Sequence, residues 1–76
     1  MSMRGEKRSA VVTMDAGGRW LSVRGHEGIL EYGTKVLRLR ISGGELRIEG
    51  EGLVLESMDG EDILVEGRVQ RLTPLQ

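Results

Sequence analysis

The chain is 76 residues long and carries 11 basic against 12 acidic side chains, a formal net charge of −1. With 38% hydrophobic and 30% charged residues it is too apolar and too balanced for a disordered segment. It has no cysteine, which excludes disulfides, thiolate metal sites and a cysteine nucleophile. Arginine, glutamate or glycine interrupts every apolar run well short of the ~20 residues that cross a bilayer. A pI near 5.8 with interspersed signs argues against a dedicated nucleic-acid binder.

Residues 1–8 show no periodicity, and with Arg4, Lys7 and Arg8 they read as a flexible basic tail ahead of one domain at 9–76. Beyond them the pattern has a period of two. Leu21 and Val23 alternate with Trp20, Ser22 and Arg24. Leu37, Leu39 and Ile41 alternate with Arg38, Arg40 and Ser42, and Leu46 and Ile48 with Arg47 and Glu49. Ile63, Val65 and Val69 share one face, opposite Glu66, Arg68 and Gln70. Successive strand side chains point to opposite faces, so each segment reads as a half-buried strand. No window sustains apolar residues at helical spacing.

Turn chemistry falls between these segments: Asp15-Ala16-Gly17-Gly18, Gly25-His26-Glu27-Gly28, Gly33-Thr34, Ser42-Gly43-Gly44, Gly50-Glu51-Gly52 and Asp59-Gly60. Seven strands are predicted, near 9–14, 18–24, 28–32, 35–42, 45–49, 52–58 and 61–72. Short links favour antiparallel neighbours. The expected fold is therefore all-β, a single small antiparallel meander closing as a sandwich or roll. A short β-solenoid is the alternative, because Gly17–Gly25 echoes Gly43–Gly50.

The core must come from 10 Leu, 7 Val and 4 Ile, with Trp20 and Tyr32 the only aromatics. A domain of this size buries only about 60% of its unfolded surface. Self-association or docking to a partner is thus a physical expectation.

Little in the sequence carries catalytic chemistry. His26, the one histidine, sits between glycines in a predicted turn, where a solvated polar residue is expected. Ser9, Ser22, Ser42 and Ser57 lack a nucleophile elbow. Gly28–Lys35 imitates a phosphate loop, but Thr34 precedes Lys35 and no helix follows. No enzymatic activity, metal or cofactor is expected. Arg38, Arg40 and Arg47, with Trp20 and Tyr32, form a candidate interaction face. As a stacking platform they would suit a small nucleic-acid binder of the OB or Sm type. The neighbouring Glu45, Glu49, Glu51 and Glu56 favour a salt-laced, solvated sheet face instead.

One longer pattern is more specific. Gly25-His26-Glu27-Gly28-Ile29-Leu30-Glu31-Tyr32 is followed by Val36-x-Leu-x-Leu and by Gly44-x-Leu46-x-Ile48-x-Gly50-x-Gly52-Leu53-x-Leu55. Glu61-Asp62-Ile63-Leu64-Val65-Glu66-Gly67-Arg68-Val69 closes it. This string resembles the YabP/YqfC family of bacterial sporulation proteins, and its first and last blocks are closer to the YqfC branch. The resemblance implies a non-enzymatic structural or assembly module of endospore formation, acting at engulfment or in building the spore envelope. It also implies a place in the mother-cell cytoplasm, with a YqfD-like membrane protein as partner and peripheral membrane association through it. Gly25, Gly28, Gly44, Gly50 and Gly67 match the family pattern and read as turn and packing positions.

Overall fold

A computed structural model describes residues 10–75 as six strands and no helix. The basic tail expected at 1–8 lies outside the described residues. The strands are β1 (Val11–Met14), β2 (Trp20–Arg24), β3 (Gly28–Tyr32), β4 (Val36–Ile41), β5 (Gly44–Asp59) and β6 (Asp62–Leu75). All pairings are antiparallel, in one sheet ordered β1-β2-β6-β5-β4-β3. The all-β reading holds, with six strands where the sequence predicts seven. Gly50-Glu51-Gly52 is no turn: the chain runs through it, and the segments at 45–49 and 52–58 are one 16-residue strand. Nor is the order fully sequential. β3 to β6 form a meander, while the β1–β2 hairpin joins the far side of β6. The two Gly-Gly motifs behind the solenoid alternative both belong to antiparallel hairpin connections, β1–β2 and β4–β5.

The long hairpin β5–β6 divides the sheet in two. The first part of β5 pairs with β4 and with the end of β6, whereas the start of β6 pairs with β2 and with the end of β5. Leu37 faces Ile48 and Leu39 faces Leu46 in one half; Leu21 faces Val65 and Val23 faces Ile63 in the other. These eight aliphatics and Leu53 make up the buried core, and most are wholly inaccessible. A sheet with no helix to cover it can bury side chains so completely only by folding onto itself. The observed architecture is accordingly a roll.

Glycine permits the fold. The register between β5 and β6 shifts at Glu49/Gly50 and again at Glu51/Val54, where bulges bend the ladder. A Cβ on Gly50 would drive into the Arg68 carbonyl oxygen. A Cβ on Gly67, whose φ is 133°, would lie 2.6 Å from the Gly52 carbonyl oxygen. Both obstacles are backbone, so neither can swing aside. Strands from the two halves lean across the bend: Gly50 and Leu53 amides donate to the Lys35 and Thr34 carbonyls, and Gly67 and Val69 amides to those of Arg19 and Gly18.

Gly50→Ala and Gly67→Ala should therefore each destabilise the protein by at least about 2 kcal/mol, comparable to truncating a buried leucine. Gly43→Ala, at an open turn with φ 88°, should cost only about 1 kcal/mol. Urea denaturation followed by circular dichroism measures all three.

Candidate functional site: the outer sheet face and the β2–β3 crossing

On β4 and the first part of β5, Leu37, Leu39, Leu46 and Ile48 take the core side, which sends Arg38, Arg40, Glu45, Arg47 and Glu49 outward. Opposite pairs on this face are Arg40 with Glu45, Arg38 with Arg47, and Val36 with Glu49. Arg38 is the hub. Its Nε donates to Glu31 Oε1 at 2.9 Å, and its Nη1 donates to Glu45 Oε1 and Oε2 at 3.2 and 3.1 Å. The hydrogen bonds it donates to Glu45, then the charge of that carboxylate, raise the Arg38 pKa above the ordinary guanidinium value. A guanidinium shared between two carboxylates offsets the like charge of Arg47 directly across the ladder.

Arg47 and Arg40 have no ion pair among the described residues, and Arg71 approaches Glu49 only to 3.9 Å. A salt-laced face is thus real at Arg38 and thin elsewhere.

The aromatics do not join this face. Trp20 stands on β2 opposite Glu66, in the other half of the sheet. Tyr32 pairs with Leu37, placing it on the core side of β3 at the sheet margin. Its hydroxyl accepts a hydrogen bond from the Leu55 amide at 3.1 Å and covers part of the β5 edge. The five residues of the candidate interaction face therefore fall on separate surfaces, and no aromatic is interleaved with the arginines as base stacking requires.

The family-matching glycines also separate by role. Gly50 and Gly67 lie at the bend. Gly44 opens β5, and Gly25 (φ 97°) and Gly28 (φ 153°) bracket the crossing from β2 to β3.

That crossing holds a feature the sequence reading missed. Gly25 and His26 amides both donate to the Glu61 carbonyl, at 3.0 and 3.3 Å, and the Glu27 amide donates to the Arg40 carbonyl at 2.7 Å. The short loop thereby straps the β5–β6 turn to the end of β4. His26 is not the solvated turn residue expected. Both ring nitrogens are shielded from solvent, and neither has a hydrogen-bond partner among the described residues. Flanking glycines look like an open turn in sequence, and nothing local signals that the loop is pinned inward. Among the described residues no cluster of three or more His, Asp or Glu could hold a metal ion, and no helix is long and apolar enough to cross a membrane.

A half-buried imidazole whose shielded nitrogens have no partner among the described residues contributes shape rather than polarity. His26→Leu should leave stability unchanged or raise it by up to about 1 kcal/mol, whereas a polar role would make it destabilising. Arg38→Gln should lower the melting temperature more than Arg40→Gln, and high salt should shrink the difference. Thermal melts of the three variants read both effects.

No curated protein and no solved structure matches the chain. The model of the YabP family matches residues 6–74, all of the described sheet except its last residue. The roll, its glycine bend and its strapped loop are thus features of a chain that belongs to the YabP family.

Proposed function

We propose that this protein is a non-enzymatic sporulation protein, a structural or assembly module of endospore formation that docks to copies of itself or to a membrane-bound partner of the YqfD-like kind. The observation that carries the reading is the family match across residues 6–74. Two physical features support it. First, among the described residues the three-membered cluster Glu31–Arg38–Glu45 is a set of mutually satisfied ion pairs on the outer sheet face, as a structural surface would carry. Second, apolar side chains remain at the surface of a small domain, among them Val11 (58% exposed), Met58 (54%) and Val54 (46%). Apolar surface on so small a fold is what docking would cover.

Deleting the gene in a spore-forming host should arrest engulfment or leave the spore envelope defective under the microscope, and the intact gene supplied in trans should restore it. Normal spores from the deletion strain would overturn the reading.

A further inference from the structure

The sheet leaves four stretches of strand edge open, and three carry devices that discourage pairing. β3 is interrupted by a register shift between Ile29 and Glu31 and carries the Glu31 charge. The end of β5 has a further shift, the third along that strand, between Leu55 and Ser57, carries Glu56 and Asp59, and has the Leu55 amide already taken by Tyr32. The end of β6 carries Arg68, Arg71 and Pro74. Bulges, charges and proline are the usual means of blunting an edge. β1, Val-Val-Thr-Met, has none of them and is exposed along its whole length.

We propose that β1 is a self-association edge, onto which a second copy of this chain adds its own β1 antiparallel about a two-fold axis at Val12. The inference rests on the assembly reading above and names both the surface and the occupant. Hydrogen-bond parity sets the geometry. The Asp15 amide donates to the Trp20 carbonyl at 3.1 Å. Backbone groups of an antiparallel ladder alternate sides, so Thr13 and Val11 also bond to β2, while those of Val12 and Met14 point to the open edge. Directly opposed residues must share a face. An axis on Val12 satisfies this, placing Val12 against the partner's Val12 and Met14 against the partner's Ala10. It also uses the outward backbone groups of both strands, on the order of six interchain hydrogen bonds. Val12 and Met14 lie beside Val23 and Leu21 on the core face, so the added strand extends the apolar row past the present edge.

Charge selects the occupant. A two-fold interface sets one edge against the same edge of its copy, so edges whose charges share a sign, Glu31 alone, Glu56 with Asp59, or Arg68 with Arg71, repel themselves, and uncharged β1 does not. A four-residue edge is small beside the roughly 1,200 Å² of a standard stable interface, so the association is reversible.

Sedimentation equilibrium of the full chain over a wide concentration range should show a species of twice the 8.4 kDa chain mass. Val12→Lys, and independently Val12→Pro, should raise the dimer dissociation constant at least tenfold, and Leu30→Lys on the β3 edge should not. Circular dichroism verifies that each variant is folded. In this cysteine-free chain, Val12→Cys should form a disulfide dimer under mild oxidation at least tenfold faster than Leu30→Cys. The reason is that hydrogen-bonded partners sit about 5.5 Å apart, within disulfide reach. A chain that stays at 8.4 kDa throughout, or equal cross-linking at both positions, overturns the inference. These readouts are independent of the deletion phenotype, so a failed edge and a failed sporulation role are told apart.

Discussion

Two backbones pass each other at Gly50 and Gly67 with no room for a side chain between them, and the rest of the molecule follows from that approach. Without it β5 and β6 would continue as one flat ribbon, and each apolar row would face water. With it, Leu37, Leu39, Leu46 and Ile48 are covered by Leu21, Val23, Ile63 and Val65, and Leu53 fills the corner. Each such side chain gains roughly 1.5–3 kcal/mol from burial, and no disulfide supplements them. A few ångströms of main-chain clearance thus govern whether the hydrophobic term is realised at all.

The two halves are built alike. β4 and β2 each flank one arm of the central hairpin, β3 and β1 lie outside them, and in both halves the residues leading into the flanking strand reach across the bend to bond with β5 or β6. The halves differ at their surfaces. One carries the Arg38 ion-pair hub on its outer face. The other ends in a bare strand and presents Trp20 and Val54 on either side of Glu66. Similar frames with unlike exteriors suit a module that keeps one face solvated while another makes contacts.

Much of this was legible in the amino-acid order. The alternation at Leu37-Arg38-Leu39 and at Leu46-Arg47-Ile48 directly reports a strand with one buried face, and those residues are where the core lies. The Arg38 pairing was foreshadowed by the glutamates on neighbouring strands. What could not be read has physical causes. Gly50 and Gly52 read as a turn because the same residue serves tight turns and bulged strands, and only the pairing partner tells them apart. The β2–β6 pairing joins Trp20 to Glu66, and no local pattern encodes a contact over that distance. Flanking glycines make His26 read as a solvated turn residue, whereas the strap to the Glu61 and Arg40 carbonyls holds its ring nitrogens away from solvent.

That long-range pairing also governs how the chain reaches its final form. The tip of β5–β6 needs only the turn at Gly60 and Glu61 to begin zipping, a microsecond event for an isolated hairpin. Before β2 can dock beside β6, the intervening chain from Arg24 to Asp62 must close into a loop, whose entropy is lost before any contact rewards it. Docking of the N-terminal hairpin onto β6 therefore follows the zipping of the central ribbon. For that interval the flank of β6 that will receive β2 is open, and the order of synthesis, which makes β1 and β2 first, gives them no head start.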